Sequence, residues 1–150
     1  MFAFLLVALL VTLGVAIAGW FRPVPAKSPT PTAYNDLQVA EAKGKVCAEH
    51  LKVHNAIKAS TSRDMGSDPT AQQVYALAGR QALLAGSEYL RAALSAQPAT
   101  PNELATAIRK LIDLSPELTV DYLNSTSVSE MEPTVHAADE ATLTVERLCK

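Results

Sequence analysis

The sequence predicts an all-α protein, with an N-terminal transmembrane helix followed by a small antiparallel bundle of about four helices closed by a disulfide. Three observations support this fold class. The first 21 residues carry no charge, apolar residues recur at helical spacing further along, and two cysteines lie near opposite ends of the remaining chain. Aromatic residues make up only 5% of the chain and alanine is abundant, which favours helices over strands.

Residues 1–21 are predicted to be a transmembrane anchor, because about 20 apolar residues are needed to cross a bilayer as a helix. Residues 20–22, an aromatic pair followed by arginine, are typical of a membrane interface. A cleaved signal peptide is the alternative, since Ala-Ile-Ala at 16–18 satisfies the small-x-small rule. Against cleavage, the apolar run is long and no positively charged leader precedes it, which also suggests that the true start lies upstream of Met1.

Residues 22–33 are predicted to be an extended spacer, since four prolines prevent a helix there. It would hold a helical domain, 34–150, clear of the membrane. The cations Arg22 and Lys27 alone favour a cytoplasmic side for this domain, but two charges are a weak signal. We expect the opposite orientation, with the N-terminus inside and the domain outside.

Cys47 and Cys149 fit neither a CxxC redox motif nor a zinc cluster. In an oxidising compartment they would form one disulfide closing nearly the whole domain, with a stabilising effect of roughly 4–5 kcal/mol for such a long loop. In the cytoplasm they would remain free thiols. The pair therefore favours an external location.

The first helix is predicted over 35–60, with Cys47 and Leu51 beside its apolar face. Bonding Cys47 to Cys149 would leave the half over 35–46 projecting beyond the last helix, as a stalk or packed only on the second and third helices. The apolar face of the first helix comprises Val39, Val46, Val53 and Ile57.

Asp68 before Pro69 predicts the N-terminus of a second helix, over 70–96. Its predicted buried residues are Val74, Leu77, Leu83, Leu84, Leu90 and Leu94.

Thr100 and Glu103, either side of Pro101, predict a capping box for the third helix. Pro116 is expected to kink or restart that helix, with Ser115 as a cap. A last helix is predicted over 133–149, with Val135, Ala138, Val145 and Leu148 on its apolar side.

His50 and His54 lie four residues apart on one face of the first helix, a spacing that can chelate a transition metal. His136, in the last helix, could approach them in a suitable register. A boundary histidine satisfied by a carbonyl or carboxylate is commoner, so no metal or cofactor is predicted. The sequence also lacks a Ser-His-Asp order, a glycine-rich phosphate loop and an HExxH motif, so an enzyme is not expected. A net charge of −2 argues against nucleic-acid binding.

Four blocks of the chain, GWFRPVP, VCAEHLKVHNAIK, DPTAQ and PATPNELATAIRKL, together with the final LCK, resemble the alanine- and proline-rich single-pass membrane proteins of mycobacteria and related actinobacteria. The resemblance covers nearly everything after about residue 14. It implies a cytoplasmic N-terminus and an external helical domain, and no activity. Family members carry a longer polar N-terminal region and an uninterrupted third helix, from which Pro116 departs.

The function expected from the sequence is that of a non-catalytic membrane-anchored envelope protein. Its exported bundle would be an accessory or interaction module for other envelope proteins. The alternative is a small-ligand or metal-binding bundle that uses His50, His54 and His136. An alanine-rich bundle can leave an internal cavity, which is the feature that would favour this alternative.

Overall fold

The computed structural model describes residues 33–61 and 67–150, and these contain four helices. Their bounds are α1 Asp36–Thr61, α2 Pro69–Ala96, α3 Asn102–Leu123 and α4 Val128–Leu148. The helical prediction for this part of the chain is confirmed. Contacts group Tyr34–Lys150 as one compact unit.

The anchor predicted over 1–21, and all but the last residue of the spacer predicted over 22–33, lie outside the described residues. Among the helices that the structure describes, none has the length and apolar character needed to span a bilayer.

The four helices form an antiparallel bundle in which each helix packs against the next one along the chain. Contacts between α3 and α4 illustrate the direction: Glu103, at the start of α3, meets Arg147 at the end of α4, while Glu117 further along α3 meets Thr134. The disulfide between Cys47 and Cys149 then joins α1 to the end of α4. It closes the bundle, as predicted.

The hydrophobic core lies towards the disulfide end of the bundle. All four helices contribute to it, and three of its side chains, Val46, Ile108 and Val145, have no solvent exposure. The remaining buried members are Val53, Leu90, Leu104, Ala107, Leu111, Ile112 and Ala141, with the two cysteines packed against them.

The predicted face of α1 is largely confirmed, since Val46 and Val53 are buried and Ile57 packs against the core. Leu51, expected beside this face, is instead 57% exposed. The segment over 35–46 is not a free stalk. Its buried Ala42 and Val46 belong to the packed part of α1, and Val46 shares a shallow groove with the end of α2.

The start of α2 is confirmed in detail. Asp68 accepts a hydrogen bond from the backbone N–H of Thr70 at 3.0 Å, and Pro69 occupies the first turn. Here the proline costs no hydrogen bond, because the first N–H groups of a helix have no partner within it.

The predicted buried face of α2 is partly wrong. Val74, Leu77 and Leu84 are exposed by 45% or more. The buried residues are Gly79, Gly86, Ser87 and Leu90. Small side chains let α2 approach its neighbours closely: a Cβ added at Gly86 would lie 2.6 Å from Cγ1 of Val53 on α1. The buried face of α2 is therefore the one whose small residues let α1 approach closely, and not the one with the most apolar residues.

The predicted capping box of α3 is wrong. Pro101 occupies the N-cap position, and the Thr100 hydroxyl donates to the carbonyl of Gln97 at 2.7 Å. The helix also runs through Pro116 without a restart. Ser115 is therefore not a cap; its hydroxyl donates to the Leu111 carbonyl.

The last helix begins five residues earlier than predicted, at Val128 instead of Pro133. A capping box of Ser127 and Glu130 starts it, with the Ser127 N–H donating to Glu130 Oε2 at 3.2 Å. This N-terminal signal outweighs Pro133, which lies inside the helix. Because the bonds at Ser127 favour the charged carboxylate, the pKa of Glu130 lies below its ordinary value.

Candidate functional site

The two histidines of α1 lie next to each other, with ring centroids 6.1 Å apart. His50 is buried, with 6% of its surface exposed. Burial lowers the pKa of His50, because it disfavours the protonated ring; His54 adds to this effect and Glu146 opposes it. His50 is therefore a neutral core residue near pH 7.

His136 does not join the other two histidines. The bond between Cys47 and Cys149 sets α1 against α4 so that Glu146 faces His50. In that register His136 is displaced from His50 by about 15 Å along the axis. Its side chain is 74% exposed and its Nδ1 lies 3.4 Å from Glu140. Across 33–61 and 67–150, no group of three or more histidine, cysteine or acidic residues is arranged to hold a metal ion.

A surface cluster that the sequence did not reveal joins α1 to α2. Lys52 Nζ donates to the Tyr89 hydroxyl at 2.7 Å, and Tyr89 donates to the Glu49 carboxylate. The bond from Tyr89, with a further one from Lys52, lowers the pKa of Glu49. The cluster is solvent-exposed, so it adds little to stability.

A cavity of about 470 Å³ lies at the end of the bundle away from the disulfide, and all four helices line it. Volumes of this size are typical of small-molecule sites. Helix α1 contributes His54 and Ile57 to the lining, and α3 contributes Leu111 and Leu118. The other lining residues are Ser60, Gln72, Tyr75, Ala76, Gly79, Arg80, Leu83, Ser115, Tyr122, Val135, Ala138, Asp139 and Thr142.

The cavity wall is more apolar than its composition suggests. The two serines and the threonine that line it each donate to a carbonyl of their own helix: Ser60 to Ile57, Ser115 to Leu111 and Thr142 to Ala138. These bonds satisfy the hydroxyl groups locally. The wall facing the cavity is therefore mostly hydrocarbon.

Arg80 is the cationic exception in this wall. It is half-buried, and its Nη2 donates to the backbone carbonyl of Tyr122 at 3.2 Å, in the last turn of α3. No carboxylate of the described residues forms an ion pair with it. A guanidinium carries five N–H donors and a permanent charge, so this group retains capacity for an oxyanion.

Of the three histidines considered from the sequence, only His54 lines this cavity. The sequence did not point to Arg80, Leu118 or Tyr122. Helical spacing identifies them as members of a helix, but the cavity arises from how the helices pack.

Comparisons with family models, with curated proteins and with solved structures found no match to this chain. The resemblance to alanine- and proline-rich actinobacterial membrane proteins accordingly stays a prediction.

Proposed function

We propose that this chain is a non-catalytic, single-pass membrane protein of the cell envelope. Its domain over 34–150 would lie outside the membrane as an accessory module for other envelope proteins. The observation that carries the proposal is the bond between Cys47 and Cys149. Both cysteines of the chain are used in it, and disulfides of this structural kind persist in oxidising compartments.

Two further features support the proposal. The uncharged run over 1–21 is long enough for a membrane anchor. On α2, Val74, Leu77 and Leu84 recur at spacings of three and seven, which places them on one exposed face. Exposed apolar clusters on a folded surface are typical of protein contacts.

The location is tested by mass analysis of the protein from intact cells, with free thiols alkylated before lysis. A peptide pair linked through Cys47 and Cys149 is expected. Recovery of both cysteines alkylated would contradict the external location.

The accessory role is tested by a photo-crosslinking amino acid placed at Leu77, on the exposed apolar face of α2. Crosslinks to other envelope proteins are expected in native membranes. The matched control is the same amino acid at Lys110, an exposed polar position on α3. Equal yields at both positions, or none at Leu77, would contradict this role.

Small-ligand binding is the second candidate function, and the cavity of about 470 Å³ favours it. Of His50, His54 and His136, His54 is the one that lines this cavity. Full-length protein purified from its native membrane is expected to release a bound small molecule on solvent extraction. Ala138→Phe, which places a ring in the cavity, should abolish that release, whereas release unchanged by this substitution would contradict the candidate.

A further inference from the structure

We infer that the cavity binds a single-chain amphiphile whose headgroup is an anionic oxyacid, a carboxylate or a phosphate monoester. The chain would lie along α3 and the headgroup at Arg80. This inference rests on the ligand-binding candidate above and specifies its ligand.

The shape of the cavity favours one extended chain. Along α3 its lining runs from Leu111 to Tyr122, a rise of about 16 Å. An extended hydrocarbon chain lying along α3 would contact the lining over this whole length, and the volume of about 470 Å³ is large enough to hold it.

Several apolar side chains line the inner part of the cavity. Leu111 and Leu118 are buried, and Leu83 and Val135 are half-buried. The nearby hydroxyl groups of Ser115 and Thr142 already donate to backbone carbonyls, so these two groups offer no unmet donor to a hydrocarbon chain. Each buried methylene contributes about 0.8 kcal/mol to transfer from water.

The charge at the outer end selects the headgroup. Arg80 donates a hydrogen bond to the neutral carbonyl of Tyr122, at the end of α3. Within 33–61 and 67–150 no carboxylate pairs with it, so its charge is uncompensated by these residues. Charge-assisted bonds from a guanidinium to a carboxylate or phosphate are about twice as strong as neutral ones. An anion bound beside Arg80 would gain this interaction.

The described part of the lining also contains one carboxylate, Asp139. It forms no ion pair with Arg80. It is exposed to solvent, where water and salt screen its charge.

The test uses the full-length chain in lipid nanodiscs and a dodecanoate probe with a photoreactive diazirine at the chain terminus. Because the headgroup is anchored at Arg80, the terminus should label the inner end of the cavity, on peptides containing Leu111 or Thr142. Dodecanoate and dodecyl phosphate should both compete with the probe. Dodecanol, which has the same chain and no charge, should compete at least tenfold less well.

Two matched pairs of variants separate the headgroup from the chain. Arg80→Gln should weaken competition by dodecanoate at least tenfold without affecting dodecanol, while Arg91→Gln, at an exposed position paired with Glu88, should change neither. Ala138→Phe should abolish labelling, and Ala85→Phe, at an exposed position outside the cavity, should preserve it. Helix content and the intact disulfide are checked for every variant; if Ala138→Phe loses helix content, Ala138→Leu replaces it.

The outcomes distinguish two failures. In the first, the inner end is labelled while dodecanol competes as well as dodecanoate, or while Arg80→Gln leaves competition by dodecanoate unchanged. Either result would overturn the anionic headgroup but leave ligand binding in the cavity intact. Labelling confined to peptides outside the cavity would overturn both. If only one of the two anions competes, the headgroup is that one, and the inference holds for it.

Discussion

The two ends of the bundle use the same four helices for different purposes. At one end a disulfide ties α1 to α4, and Val46, Ile108 and Val145 are fully buried. At the other, the helices surround a cavity of about 470 Å³, and Tyr122 beside it is 39% exposed. The contrast shows how a bundle can concentrate its stability at one end. The other end then has room for a ligand without loss of the fold.

The largest expected effect concerns the disulfide. Replacing both cysteines, Cys47→Ala with Cys149→Ala, should lower the free energy of unfolding by about 4 kcal/mol, because the bond closes a loop with a sequence separation of 102 residues. Denaturant unfolding followed by circular dichroism measures this. A loss below about 1 kcal/mol would show that the closed end does not depend on its crosslink.

Truncating one large side chain at each end should lower the free energy of unfolding by different amounts, because the two ends are packed differently. Ile108→Ala, at a position with 0% exposure, should cost about 4 kcal/mol, since the cavity it leaves cannot collapse. Leu118→Ala borders existing space and loses fewer contacts, so about 2 kcal/mol is expected. Equal costs in denaturant unfolding would mean that the cavity end is as tightly packed as the core.

A glycine pair tests the close approach of α1 and α2 between the two ends. Gly86→Ala should destabilise the protein by about 2 kcal/mol, because its Cβ would lie 2.6 Å from a methyl of the buried, β-branched Val53. Gly44→Ala is the control. Nothing lies within 4 Å of its Cβ, and alanine favours the helix by up to about 1 kcal/mol. Melting temperatures should therefore shift in opposite directions, and a shift in the same direction would contradict this packing.

The smallest effect is a pH dependence at the closed end. The folded pKa of His50 lies below the ordinary 6.5, chiefly through burial, so the unfolded chain binds a proton before the folded one does. The contribution of His50 to the free energy of unfolding is fully present above about pH 6.5. It decreases as the pH falls from there towards the pKa of His50 in the folded state. His50→Gln should reduce that fall in denaturant unfolding, while His136→Gln, at an exposed position, should leave it unchanged. A fall that persists fully in His50→Gln would assign it to other groups.

The sequence predicts a helix start correctly where the groups that form it are neighbours in the chain. Asp68 and Pro69 predicted the start of α2 because an N-cap bonds within its own first turn. The capping box predicted at Thr100 is wrong, because its hydroxyl donates backward to the carbonyl of Gln97. The helix start predicted at Pro133 is also wrong, because the capping box of Ser127 and Glu130 starts that helix more than one turn upstream. Competing local signals of similar strength cannot be ranked without the surrounding fold.

The sequence by itself determined the four helices and the cysteine pair, because helical periodicity and the presence of just two cysteines do not depend on how helices are arranged. Tertiary structure alone decided which side of α2 is buried, since apolar residues lie on both of its faces and Gly79, Gly86 and Ser87 permit the closer contact. It also decided the cavity. Empty space between Leu118, Arg80 and Ala138 depends on the register of four helices, which no spacing within one helix specifies.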